Sequence, residues 1–170
     1  MKFLQFLLLA LVCAVPLPAW AQERLVSPAL DGFVTGFQAA NAEQSILEEV
    51  PQGETVDSWT VLVTTQRFTV ANAALSIFTD SFFGGLRAAC PDATFTDPEH
   101  FEHFGKPALM FSADCPNSPM SGGREQMTVL AISGVEALHV KQVSFRPGYA
   151  GDTGWTRDFL LGTRVCQTDC

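Results

Sequence analysis

A chain of 170 residues, 47% of them apolar, is long enough to bury a real hydrophobic core within one domain. Its 10 basic and 18 acidic residues leave a formal charge of −8. That balance argues against nucleic acid and anionic membrane surfaces as partners, because both need clustered Lys or Arg.

The chain opens with one positive charge, Lys2, an apolar run from Phe6 to Val15, the helix breakers Pro16 and Pro18, and then Ala19-Trp20-Ala21. This is the layout of a secretory signal peptide with a small-x-small cleavage site, so residues 1–21 are set aside and Gln22 is the expected mature N-terminus. The run is too short to span a bilayer and ends in prolines, which argues against an uncleaved anchor and any stable membrane insertion after cleavage. Val12 before Cys13 does not fit a lipoprotein site. A periplasmic or secreted location follows as the expectation, with residues 22–170 as a single α+β domain. Of the five cysteines, Cys90, Cys115, Cys166 and Cys170 remain after cleavage, and an even count in an exported chain reads first as disulfides. Three pairings are open. Cys90 with Cys115 is favoured, because each precedes a proline at the end of a predicted element, and such a bridge is worth about 3 kcal/mol. Cys166 and Cys170 would then form a C-terminal pair, with poor geometry if the tail is helical.

From Gln22 to Pro28 no periodicity shows, and an extended or mobile start is expected. Phe33 to Ala39 is a strand candidate weakened by Gly36, and Ser45 to Val50 a second, although a helix over Glu43 to Glu49 competes. Trp59 to Val70 is the strongest strand, with Trp59, Val61 and Val63 on one side and Thr60, Thr64 and Gln66 on the other. It is expected to be central. Asn72 can cap a helix to Ala89 whose stripe is Leu75, Phe78, Phe82, Leu86 and Ala89, with Ser76, Thr79, Asp80 and Arg87 facing away. Gly84-Gly85 costs that helix about 1 kcal/mol each relative to Ala, so close backbone approach or a kink is expected.

Residues 91–106 read as a loop with one short strand, and Pro107 to Ala113 as a buried strand. Arg124 to Ile132 and Ala137 to Arg146 form a hairpin through Ser133-Gly134, with Met127, Val129 and Ala131 on one face. The second strand changes phase between Val140 and Val143, which calls for a bulge near Lys141 or burial of both faces. Asp152 or Thr153 can cap a last helix carrying Trp155, Phe159 and Cys166 near one stripe. The order of elements predicts an α+β fold: a single-layer antiparallel sheet with two helices packed on one side.

His100-Phe-Glu-His103, with Glu99 and Glu102, is a weak candidate for a shared metal. Arg124, His139, Lys141 and Arg146 could form a basic strip on the hairpin that binds an anionic group. Glu48-Glu49 and Glu99/Glu102 are possible carboxylate pairs, although surface solvation is the commoner reason for adjacent acids. Hydrolase, redox, metalloprotease and nucleotide signatures are absent, so no catalytic residue and no cofactor is assigned.

Val50-Pro-Gln-Gly-Glu-Thr-Val-Asp-Ser-Trp-Thr60, with Cys90-Pro91, Cys115-Pro116 and the hairpin Leu130 to His139, resembles a group of small uncharacterised proteobacterial periplasmic proteins. The resemblance implies export and disulfide chemistry, and brings no activity. The leading expectation is a non-enzymatic exported protein that binds a protein partner or small ligand through its sheet face or the loop from His100 to Phe104. The alternatives are a small hydrolytic or metal-dependent enzyme using His100 and His103, and an inhibitor of an exported enzyme.

Overall fold

The computed structural model describes residues 23–119 and 122–167. Seven of its strands are β1 (Arg24–Val26), β2 (Phe33–Ala40), β3 (Gln44–Pro51), β4 (Val61–Phe68), β5 (Thr94–Phe95), β6 (Glu99–His103) and β7 (Lys106–Ser118). The other three are β8 (Gly123–Ser133), β9 (Leu138–Phe145) and β10 (Arg164–Cys166), and the helices are α1 (Leu75–Ala89) and α2 (Trp155–Gly162). The main sheet runs β2-β3-β4-β9-β8-β7, and β5 and β6 pair in tandem with β7 at the far edge. Every pairing is antiparallel. A separate ribbon joins β1 to β10, so there are two sheets where the sequence predicts one.

The mixed α+β character holds, but the helices lie on opposite faces. Ala108, Met110, Leu130, Ile132 and Val143 pack with Phe159 and Leu160 of α2. Leu109, Phe111, Val129, Ala131 and Val140 pack instead under Leu75, Phe78, Phe82, Phe83 and Leu86 of α1. Alternate residues of a strand point to opposite faces, so β7 and β8 are apolar on both because both are covered. The phase change in β9 has the same cause: its register with β4 and β8 runs without a bulge.

Other expectations shift with that arrangement. β4 is interior, but β9 takes the middle of the sheet. Trp59 lies outside β4 and packs with Val50 and Leu62, whereas Val61 and Val63 face α2. Residues 44–51 are strand rather than helix. Residues 91–106 contribute two edge strands instead of one. Asn72 adopts a left-handed turn (φ 49°), and α1 begins after Ala74 with no side-chain cap. Thr79 is the buried exception on the face read as solvated, its hydroxyl donating to the Leu75 carbonyl at 2.9 Å. Gly36 sits where the β2–β3 register shifts, and a Cβ there would come within 2.8 Å of Val56 Cγ1. Cys166 lies in β10, beyond the end of α2, so it shares no helical stripe with Trp155 and Phe159.

The start of the described chain is tied down. Glu23 is 2% exposed, and its carboxylate accepts from Lys106 Nζ and from the backbone N–H groups of Val135 and Glu136, all at 2.9 Å. Its own N–H donates to the Glu136 carboxylate at 3.1 Å. A Cβ at Gly134 would collide with the Glu23 carboxylate, so the hairpin turn needs glycine there.

Cys90 and Cys115 form the expected disulfide, both 1% exposed, joining the end of α1 to β7. Cys166 is disulfide-bonded too, and Cys170 lies outside the described residues. The Cys90–Cys115 bridge closes a loop of 25 residues in sequence. Replacing both cysteines by Ser is expected to lower the unfolding free energy by about 3 kcal/mol, read from the shift in denaturant midpoint at constant slope.

Candidate functional site

Helix α1 covers only part of its face of the sheet. Under it lie the apolar residues of β7, β8 and the start of β9; beside it, the floor turns polar. Glu48 of β3 stands opposite Thr64 of β4, and Thr64 opposite Gln142 of β9, so one row across three strands carries a carboxylate, a hydroxyl and an amide. Gln66 faces the same way one step along β4. Such residues gather over a sheet where no apolar layer covers them. The result is a groove of about 760 Å³, with one wall from α1 (Phe82, Gly85, Leu86) and the Cys90–Cys115 bridge at one end. This is the size range of small-molecule sites.

The opposite rim is the segment after β3. Gly53 turns the chain at φ 94°, and the Glu54 carboxylate accepts from both the N–H and the hydroxyl of Thr60, each at 2.7 Å. Thr55 and Ser58 exchange backbone hydrogen bonds of 3.1 and 3.0 Å, pinching residues 55–58 into a tight turn. This clamp presents Val56, Asp57 and Trp59 to the groove. Trp59 is 6% exposed, and the Arg146 guanidinium lies 3.7 Å from its ring centroid, a close cation–π stack.

The electrostatics of the groove are uneven. Its lining holds three carboxylates, Glu48, Asp57 and Glu125, against one cation, Arg146. Burial pushes the Glu125 carboxyl above its ordinary range, against the opposing pull of the Ser118 hydrogen bond and of Arg146. Glu48 is raised by burial alone, and among the described residues its carboxylate has no ion-pair or hydrogen-bond partner. Burial likewise pushes the Arg146 guanidinium down, against the pull of Glu125, and its Nε is enclosed with no hydrogen-bond partner among the described residues. Ionisable groups displaced by burial within a cleft are a mark of a functional site.

The residues singled out in the sequence scatter. His100 and His103 are three apart on β6, which puts them on opposite faces: His100 opposes Leu109, and His103 opposes Lys106. His103 is 8% exposed, and its Nε2–H donates to the Thr163 carbonyl at 2.7 Å. The pair therefore cannot share a metal. Among the described residues, no three His, Cys, Asp or Glu side chains gather to hold one. Glu99 is exposed and pairs with Arg157 at 3.2 Å, and Glu102 is exposed.

The basic strip does not form either. Arg124 is exposed and binds Asp114 through two nitrogens. His139 and Lys141 are buried on the α2 face. Lys141 Nζ donates to Thr65 Oγ1 at 2.7 Å and pairs with Glu49 at 3.4 Å. Burial pushes the pKa of both down. Only Arg146 faces the groove. Glu48 and Glu49, adjacent on β3, point to opposite faces and are not a carboxylate pair. Glu48 was singled out only as half of a carboxylate pair, and Glu125 and Gln142 were missed; the usable signal was that each breaks an apolar alternation along its strand.

No protein-family model and no curated protein matches the chain.

Proposed function

We propose that this is an exported, non-enzymatic protein that binds a small ligand in the groove between α1 and strands β3, β4 and β9. The observation that carries the reading is the polar row Glu48, Thr64 and Gln142, set in a sheet face that is apolar wherever α1 covers it. The disulfide at the groove's end and the signal-like N-terminus support export.

Gly85 supplies the test. A Cβ built there meets nothing within 4 Å, so neither close packing nor backbone approach demands glycine. An empty wall does explain it, because a side chain there would project into the groove. Gly85→Ala is expected to raise stability by roughly 0.5–1 kcal/mol through helix propensity. Gly85→Leu should be no less stable, but should close the groove. Native mass spectrometry of both proteins, purified from an exporting host, reads the outcome. A bound mass lost on denaturation and present only in the parent protein is expected. A bound mass retained by Gly85→Leu, or none in either protein, sinks the reading.

A further inference from the structure

The chemistry of the groove narrows the ligand, an inference that rests on the groove being the binding site. We propose that the groove takes a monocationic organic amine with an apolar body, its ammonium on Glu48 and its body against Phe37, Ile46, Phe82 and Leu86.

Three observations converge. First, the lining carries three carboxylates and a single guanidinium, so its charge is unbalanced toward a cation. Second, the four charged groups are not equivalent. Arg146 is stacked on Trp59 and attracted by Glu125, and Glu125 also takes a hydrogen bond from Ser118, so each of these two groups already has an interaction of its own. Asp57 is exposed on the rim turn. Glu48 remains: partly buried, at the β3 end of the polar row, its carboxylate without a hydrogen-bond or ion-pair partner among the described residues. Third, the walls around Glu48 are apolar, with Ile46 two residues along β3 and Phe37, Leu86 and Phe82 lining the same space. A compact cation with an apolar tail would pair the carboxylate and cover those walls together. An anion would add to the unbalanced charge, and a purely apolar molecule would leave Glu48 desolvated and unpaired.

A carboxylate kept desolvated without a partner works against folding, as is common for groups held ready for a ligand. Glu48→Gln is therefore expected to fold at least as stably as the parent, which makes it a clean probe of binding.

The test uses the Trp155→Phe background. Trp155 packs against Phe145 and Phe159 on the α2 face, so its removal from protein beginning at Gln22, which lacks Trp20, leaves Trp59 as the reporter inside the groove. Three probes of one shape are titrated: phenethylamine, phenethyl alcohol and hydrocinnamate. The amine is expected to perturb Trp59 emission saturably and to bind at least about tenfold more tightly than the other two. Glu48→Gln should remove that advantage while Glu125→Gln retains most of it. Amine affinity should also rise with pH through the titration of Glu48, because pairing favours its charged form. The groups facing Glu48 within the groove are Asp57, Glu125 and Arg146.

If the alcohol or hydrocinnamate binds as tightly as the amine, the ligand class is wrong while the groove stands as a site. An amine that binds Glu48→Gln undiminished places the cation elsewhere and overturns the assignment. Absence of amine binding overturns it as well. The groove itself is judged separately, by the co-purified mass and its loss in Gly85→Leu.

Discussion

Glu23→Ala is expected to cost roughly 3–5 kcal/mol of stability, the range for breaking a buried charge pair. The substitution strands Lys106 Nζ and the N–H groups of Val135 and Glu136, all of which now donate to the Glu23 carboxylate. Burial alone would raise the pKa of this carboxyl. The hydrogen bond from Lys106 and those from the Glu136 and Val135 backbone outweigh it and lower the pKa to about 2 from an ordinary 4.5. The group is depressed on folding, so its stabilisation is present above about pH 4.5 and is lost as pH falls toward 2. At 1.36 kcal/mol per unit, that loss is about 3 kcal/mol.

His139, 3.7 Å from Glu23, adds a shallower loss at higher pH. Burial lowers its pKa against the pull of Glu23, so the unfolded chain takes up a proton first as pH falls through 6.5. Glu48 and Glu125 act in the opposite sense: both are raised on folding, and their protonation recovers some stability in acid. Urea titrations at stepped pH check the balance. The parent should lose stability steeply between pH 4.5 and 2, and Glu23→Gln should lose much less across the same window. Equal losses in both proteins would show that the Glu23 carboxylate does not hold the turn.

The second large effect is at Trp59. Trp59→Ala is expected to destabilise the fold by roughly 3–5 kcal/mol, because it removes a large buried ring and leaves a cavity. Val50 and Leu62 lose their partner, and Arg146 loses the ring beneath its guanidinium. The same change should blunt any ligand response in the groove. An unchanged unfolding midpoint would mean that the ring is a contact surface rather than a support of the rim. Trp59→Phe should restore most of the stability.

The strands were legible where a single local rule governs them. The alternation of Met127, Val129 and Ala131 and the glycine turn after Ser133 led to the right elements. The prolines beside the bridged cysteines led to the right disulfide, but only Cys90 ends its element, since β7 runs on through Cys115 and Pro116 to Ser118. Which side each helix takes was not legible, since strands that are apolar on both faces give no preference between two covering layers. The phase change in β9 was the available clue, and it admitted a bulge equally well. Residues 91–106 were read as mostly loop because edge strands carry polar residues and prolines. At the site, His100 and His103 drew attention as a spacing, but a spacing of three gathers side chains on a helix and separates them on a strand. Glu48 looked like ordinary surface charge. Its meaning depends on which part of the sheet α1 leaves open, and that is a property of the assembled layers.

The ribbon of β1 and β10 sets Arg24 opposite Cys166, so the two ends of the described chain close against each other. Among the described residues this pairing joins strands nearly the whole length of the chain apart, and it can form only after every element between exists. In a chain synthesised from its N-terminus, the segment made earliest among the described residues is then the one that docks last. Glu23 can find its partners only once Lys106 and the turn at Val135 and Glu136 exist, and Arg24 to Val26 only once β10 does. Any truncation that removes β10 therefore frees the opposite end of the protein as well, and a protease working at the N-terminus reports whether the C-terminus has arrived.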